Sequence, residues 1–226
     1  MRSNLSRREL LSWTLAAAAG NRFVTTWARA GTDTSSPSKF DGFNVKDATF
    51  KFLQKCARDD GGYSPSPAPQ YRGNSDTKAS DLAAITYAAT LVKTAGWELP
   101  HREKSVEFIQ RHQQPAGVLI NFQGDLNPKG NLAILYNTTQ RCVALRALGE
   151  KAKVDPTHAL DRFFAKDTFK KLPWYTLRFY PLFYAALGRP FPQEYRVAIA
   201  QHIAQNQAAD GYLSGKRAMS FLAIRA

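Results

Sequence analysis

Cysteine and histidine are scarce in this sequence of 226 residues, which contains two cysteines and four histidines. No pair of them has the spacing of a zinc site, so we expect neither a bound metal nor a cofactor. Cys56 and Cys142 fall on the predicted buried sides of helices, where a free thiol behaves as a small hydrophobe. A disulfide between the two is the less favoured alternative.

Acidic side chains are outnumbered, with 18 Asp and Glu against 31 Lys and Arg and a formal net charge of +13. A basic surface attracts anionic lipid, acidic polysaccharide or nucleic acid. Because the chain has no arginine-rich helix and no aromatic nucleic-acid motif, we do not expect a nucleic-acid partner. An acidic polymer stays a candidate partner, and the simpler alternative is a domain whose basic side chains are merely solvated.

Long hydrophobic runs are also missing, so we expect no transmembrane segment. The apolar run from Leu10 to Gly20 is shorter than the roughly 20 residues that span a bilayer. It follows the pair Arg7-Arg8, and the small residues of Ala28-Arg29-Ala30 come after it. This order resembles a twin-arginine (Tat) signal peptide over residues 1–30, cleaved after Ala30, and implies export to the periplasm or the medium. The alternative is a basic arm followed by a short core helix.

Beyond a Ser/Thr/Pro-rich linker at 31–44, the fold class is predicted to be all-α, with one domain at 45–226. No run shows the alternation or β-branched density of a strand, and the apolar spacing is helical throughout. The predicted helices lie at about 45–56, 81–96, 103–113, 131–148, 158–169, 173–187, 193–206 and 217–226.

These helices form a repeat in which the first helix of each pair ends in a glycine turn. The turns read RDDGGY at 58–63, QQPAGVL at 113–119 and QAADGYL at 207–213, while a fourth copy near 164 has no glycine. The second helix of each pair ends before a glycine, at Gly96, Gly149 and Gly188, where a left-handed residue closes the last turn. Such hairpins must stack on one another to bury their apolar faces.

We interpret the glycine turns as structural rather than catalytic, although Asp59 and Asp60 stand side by side. Aspartate before two glycines is ordinary turn chemistry, and a glutamine at the turn can bond to exposed backbone groups. The predicted structural residues are Asp60, Gly61, Gly62, Gln113, Gly117, Gln207 and Gly211.

The Gln-x-x-x-Gly-x-apolar turn resembles the repeat of the terpene cyclase and protein prenyltransferase β-subunit superfamily. Asp81-Leu82, Thr86-Tyr87-Ala88 and Tyr136-Asn137-Thr138-Thr139 resemble the start of that family's inner helices. The resemblance implies a partial α/α toroid, since a full ring has about six hairpins and this chain offers four. A homo-oligomer could complete the ring.

The family's catalytic motifs are absent, so the resemblance leaves enzymatic activity uncertain. Squalene-type cyclases use Asp-x-Asp-Asp, whereas here Ala57-Arg58 precedes Asp59-Asp60, and the arginine favours the ionised carboxylate over a proton donor. Prenyltransferases bind zinc through Asp and Cys two residues apart, whereas Gln140 precedes Cys142 and Gln54 precedes Cys56. No catalytic residue is predicted.

Candidate ligand contacts lie on the second helices of the hairpins. Aromatic faces can hold apolar ligands, and arginine suits an anionic group such as a diphosphate. Core packing is the favoured alternative for the aromatic residues and helix capping for Asp81, and an ordinary surface or helix-dipole arginine is the alternative for Arg141 and Arg178. The candidates are Asp81, Tyr87, Tyr136, Arg141, Trp174, Tyr175, Arg178 and Tyr180.

The leading hypothesis is a prenyltransferase/squalene-cyclase-like protein that binds an apolar or isoprenoid-type ligand on its concave face. Two alternatives stay open: a non-catalytic scaffold that binds a protein or acidic polymer, and an α/α-barrel polysaccharide lyase.

Overall fold

The structure is a computed structural model that describes residues 44–68, 82–123, 125, 127–165 and 167–208. The described residues fall almost entirely in the compact unit at 46–226. Several predictions concern positions outside the described residues: the signal peptide with Arg7 and Arg8, most of the linker, Asp81, Gly211 and the helix at 217–226.

The described residues form seven α-helices and two short 3-10 helices, Thr168–Lys171 and Trp174–Thr176, and contain no strand. The predicted all-α fold class is therefore confirmed. None of the described helices is both long and apolar enough to cross a membrane. The α-helices are α1 Val45–Cys56, α2 Leu82–Ala95, α3 Arg102–Arg111, α4 Asn131–Ala147, α5 Thr157–Ala165, α6 Phe179–Ala186 and α7 Gln193–Asn206.

The second helices of the hairpins pack side by side. Helix α2 packs against α4, and α4 packs against both α6 and α3. We call α2, α4 and α6 the inner row, and the helices that alternate with them, α1, α3, α5 and α7, the outer helices. This packing is the stacking of hairpins that the repeat predicts, whereas the closure of such a stack into a toroid stays a prediction.

Helix α4 is the central member of the inner row and is covered on more than one side. Ten of its residues are buried, among them five consecutive polar ones, Asn137 to Arg141. The Oγ1 of Thr138 accepts a hydrogen bond from the Leu119 amide at 3.2 Å, and the Gln140 carbonyl accepts one from Thr86 Oγ1 at 3.0 Å. Buried polar groups need such partners, and these bonds join α4 to its neighbours.

The glycines that end the inner helices adopt the predicted left-handed conformation. Their φ angles are 68° at Gly96, 77° at Gly149 and 72° at Gly188. In each case the next amide bonds back five residues, as from Glu150 to the Leu145 carbonyl at 2.8 Å. This bonding pattern is the Schellman motif, which satisfies carbonyls that a helix end leaves open.

The two glycine turns that the structure describes pack against the backbone at or just before the start of the next outer helix. Gly61 and Gly117 have φ angles of 90° and 89°. An added Cβ would lie 2.0 Å from the Lys104 carbonyl oxygen at Gly61 and 2.7 Å from the Asp155 carbonyl oxygen at Gly117. Glycine is thus required at both turns by its φ angle and by the close approach of a neighbouring backbone.

Gln113 and Asp60 of the described turns bond to backbone groups. Gln113 Nε2 donates to the Gly117 carbonyl at 2.9 Å and to the Val154 carbonyl at 2.6 Å, and Gln113 Oε1 accepts from the Val154 amide at 2.9 Å. The Gly62 amide donates to Asp60 Oδ1 at 2.9 Å. Gln113 therefore links its own turn to the segment that precedes α5.

The predicted helix at 173–187 is wrong in its first half. A 3-10 turn at Trp174–Thr176 comes first, and α6 begins only at Phe179. Pro181 explains the late start, because a longer helix would require its missing amide to donate to Leu177, whose carbonyl the proline ring would also crowd. As the third residue of α6, Pro181 lies where an amide needs no partner within the helix.

Both cysteines are buried and free, as the sequence predicts. Burial raises the pKa of the Cys142 thiol to about 12, and the Asp155 carboxylate adds to that rise while Arg141 opposes it. The pKa of the Cys56 thiol is raised by burial as well. Both thiols are therefore protonated near neutral pH, so neither is a ready nucleophile.

Candidate functional site

Each helix of the inner row keeps one partly exposed face. Tyr87 is 64% exposed and Leu91 is 42% exposed on α2, and Leu182 is 40% exposed on α6. Residues three or four positions apart share a helix face, as Tyr87 and Leu91 do. We call six of the exposed and half-exposed residues on or directly before these helices the inner surface: Tyr87, Leu91, Tyr136, Val143, Arg178 and Leu182.

Two of the predicted ligand residues, Tyr136 and Arg178, meet at one buried ring. The Phe179 ring is 1% exposed, and its centroid lies 5.3 Å from that of Tyr136, edge to face. The Arg178 guanidinium carbon lies 5.1 Å from the same centroid. Phe179 thus holds together a half-buried aromatic ring of α4 and an exposed cation at the start of α6.

Sequence reasoning did not select Phe179 as a site residue. The sequence does contain an indication that Phe179 belongs to the site. Phe179 directly follows Arg178, and Pro181 requires the helix to begin near that position. Its partner Tyr136 belongs to another helix, so the contact becomes visible only once α4 and α6 are packed together.

Arg141 is a buried residue rather than the surface arginine that was one of its two interpretations. Its side chain is 0% exposed, and its Nη2 donates to Asp125 Oδ2 at 2.7 Å. The same carboxylate oxygen accepts the Asn121 amide at 2.7 Å. Arg141 therefore anchors the segment that precedes α4, and its charge is already engaged by a carboxylate whose side chain is 7% exposed.

His112 lies at the end of α3, where the charges of Arg141 and Asp125 affect its pKa. Burial lowers its pKa, a hydrogen bond to the Phe108 carbonyl opposes the shift, and the Arg141 charge lowers it further. The bond from Nδ1 to the Phe108 oxygen measures 2.6 Å, and because a carbonyl can only accept, Nδ1 carries the proton. This arrangement indicates a structural role for His112.

Tyr180 packs inside the protein, away from the inner surface. It is 1% exposed, and its ring meets that of Phe164 edge to face at 4.6 Å. No hydrogen-bond partner for its hydroxyl lies among the described residues, and burial raises its pKa. The structure therefore places Tyr180 in the aromatic core between α5 and α6.

Trp174 and Tyr175 occupy the 3-10 turn before α6, and both are half-buried. The Trp174 ring stacks on that of His202, with centroids 4.5 Å apart and planes 22° from parallel. Trp174 therefore faces α7, so the predicted ligand residues are divided among different surroundings. Tyr136 and Arg178 share a contact, and Tyr87 lies exposed on α2.

A surface depression of about 270 Å³ lies at the junction between α2 and α3. It is smaller than the roughly 300–1,000 Å³ of usual ligand pockets, and no predicted ligand residue lines it. Its lining is formed by Phe50 and residues 98–103. Within the described ranges, no group of three or more His, Cys, Asp or Glu side chains could hold a metal ion.

Comparisons of the chain with protein-family models, with curated proteins and with solved structures find no match in any of the three. The resemblance to the terpene cyclase and prenyltransferase superfamily therefore rests on the repeat and its turns. Any assignment of function rests on the inner surface and its contacts.

Proposed function

We propose that this protein binds an apolar, isoprenoid-type ligand on the inner surface. The observation that carries the proposal is the group formed by Tyr136, Phe179 and Arg178, in which an aromatic edge and a guanidinium lie within 5.3 Å of one ring. Tyr87, Leu91 and Leu182 supply exposed apolar area on the neighbouring helices. Contiguous exposed apolar surface is typical of interaction sites, so the proposal requires these side chains to form one patch.

Arg178 gives the surface a place for an anionic end group. It is exposed, whereas the charge of Arg141 is buried against Asp125. A guanidinium binds phosphate or carboxylate through paired hydrogen bonds. We therefore assign the anion contact to Arg178 alone, and we assign no catalytic step.

An acidic polymer is the second candidate ligand, favoured by the net charge of +13. If residues 1–30 are removed as a Tat signal, the chain retains 26 basic and 17 acidic side chains, a formal charge of +9. A scaffold for such a polymer would bind through charge spread over its surface, with a strong dependence on salt. The isoprenoid proposal instead requires binding that persists at high salt.

Calorimetric titration with farnesol, farnesyl diphosphate and oligogalacturonate tests the proposal. Loss of an aromatic contact worth about 1 kcal/mol should weaken farnesol binding by roughly fivefold to tenfold in Tyr136→Ala. Arg178→Ala should weaken farnesyl diphosphate binding by about tenfold or more and leave farnesol binding nearly unchanged.

Arg162→Ala provides the matched control. Arg162 is also an exposed arginine beside a phenylalanine, with its guanidinium carbon 5.5 Å from the Phe163 centroid, but it belongs to outer helix α5. Its removal should leave both lipid affinities unchanged. Retention of oligogalacturonate alone, or equal losses in Arg162→Ala and Arg178→Ala, would contradict the proposal.

A further inference from the structure

His202 of α7 lies between two aromatic rings of the segment that joins α5 to α6. Trp174 stacks on it at 4.5 Å between centroids, and Phe169 meets it edge-on at 5.7 Å with an interplanar angle of 84°. Phe169 is 1% exposed. The two rings come from the two 3-10 helices, so His202 contacts both parts of the connecting segment.

Asn206, one turn further along α7, determines which protonation state fits this arrangement. Its Nδ2 donates to the His202 carbonyl at 2.8 Å and lies 3.3 Å from His202 Nδ1. Since the carbonyl can only accept, the amide nitrogen faces the histidine and the assignment of the amide is fixed. His202 Nδ1 is therefore the acceptor of this contact, which only the neutral ring can provide.

The charged neighbours of His202 also disfavour a proton. Burial lowers its pKa, the Lys170 ammonium lowers it further, and the Asp167 carboxylate opposes both. Lys170 Nζ and Asp167 Oδ2 pair with each other at 2.9 Å. Among the described residues, these are the charged groups that act on the ring.

We propose that His202 is a proton-sensitive clasp that holds the segment Thr168–Thr176 against α7. The neutral ring keeps the clasp closed through its stack on Trp174 and its bond with Asn206. The imidazolium has a proton on both nitrogens, so Nδ1 would turn a donor toward the Asn206 amide and the clasp would loosen. This device is independent of the ligand proposed for the inner surface.

One attraction opposes the loosening, because an imidazolium is attracted to the face of a tryptophan ring. The loss of the Asn206 contact acts in the other direction, and burial and the Lys170 charge together lower the pKa of His202. A group whose folded pKa lies below its unfolded value, about 6.5, takes up a proton more readily when released. The clasp is therefore fully closed above pH 6.5 and weakens as the pH falls through the folded pKa.

The test is a nuclear magnetic resonance titration of the full chain from pH 8 to pH 4.5, with no ligand added. The His202 ring signal should titrate with a midpoint below 6.5, and the Trp174 indole N–H signal should move with the same midpoint. Hydrogen-exchange protection over Thr168–Thr176 should fall by at least about threefold below that midpoint.

Two variants identify the proton acceptor. His202→Phe keeps a ring between Trp174 and Phe169 but cannot be protonated, so its indole signal and its protection should not respond to pH. His158→Phe, at an exposed histidine of α5, should respond as the unaltered protein does. A His202 midpoint at or above 6.5, an indole signal that ignores the titration, or an undiminished response in His202→Phe would each overturn the proposal.

Discussion

At the scale of single residues, five glycines in the described part of the chain share a positive φ angle but differ in what surrounds them. Gly188 has φ 72° and no atom within 4 Å of an added Cβ, whereas the Cβ of an alanine at 61 would lie 2.0 Å from the Lys104 carbonyl oxygen. The cap glycine is needed for its backbone angle alone. The turn glycine is needed for its angle and for the neighbouring backbone.

Alanine substitutions should therefore separate the two roles. Gly188→Ala should lower the free energy of unfolding by about 1–2 kcal/mol, the cost of a left-handed backbone for a residue with a Cβ. Gly61→Ala should lower the free energy of unfolding by about 1–3 kcal/mol more than Gly188→Ala does, because the Lys104 backbone carbonyl cannot rotate away as a side chain can. Urea denaturation measures both values, and equal losses would show that the turn does not press on α3.

The residue scale also shows which features the sequence predicts. The angles at Gly96, Gly149 and Gly188 follow from local helix-end chemistry, so they were predictable. The burial of Arg141 was not, because its partner Asp125 precedes it by 16 residues in a connecting segment. An arginine in a helical pattern looks the same in sequence whether it faces water or a buried carboxylate.

At the scale of elements, an ion pair closes each of two hairpins, and its charges are reversed from one hairpin to the next. Arg102 at the start of α3 binds Glu150 after α4 at 2.8 Å. Arg189 after α6 binds Asp155 before α5 at 2.6 Å. The ion pair therefore lies at the same place in both hairpins, but the arginine and the carboxylate exchange positions between them.

Charge reversal tests the Asp155–Arg189 pair. Arg189→Glu should lower the free energy of unfolding through repulsion from Asp155. Because Asp155→Arg also removes the hydrogen bonds from Thr157, the coupling is taken from the complete double-mutant cycle. Both side chains are about half exposed, so the coupling should be only about 0.3–1 kcal/mol and should shrink in 0.5 M salt. A double-mutant cycle with no favourable coupling between the two substitutions would contradict the pairing.

The acid dependence of the pair has a defined sign. Burial raises the pKa of Asp155, but hydrogen bonds from Thr157 and Arg189 outweigh it and hold the pKa below its usual value of 3.8. The contribution of this pair is therefore complete above pH 3.8 and is lost as the pH falls through the folded pKa.

The beginning of α6 shows why element boundaries were harder to predict than element type. The aromatic run at 173–187 has enough apolar side chains to be buried on every side, so its composition cannot locate the first residue. Pro181 does locate it, because a helix that contains proline must start within the preceding turn. Pro181 therefore predicts a helix that starts at about 179 rather than at 173.

At the scale of the whole molecule, the repeat predicted a stack of helical hairpins, and the described residues show three inner helices packed in order. The members of the inner surface could be assigned only in part. Tyr87, Tyr136 and Arg178 were selected from the sequence, whereas Leu91, Val143 and Leu182 emerge from the exposure of helices that pack on their neighbours. Tyr180 was selected for its aromatic ring, but its position on α6 directs that ring into the core.

The central claim is that the inner surface binds an apolar ligand, and methyl-labelled nuclear magnetic resonance during a farnesol titration tests it most directly. The methyl signals of Leu91, Val143 and Leu182 should shift together in a saturable way. Val197, which is 42% exposed on α7, is the matched control and should keep its signal. Shifts confined to Val197, or no saturable shift at the three inner-surface methyl groups, would contradict the account.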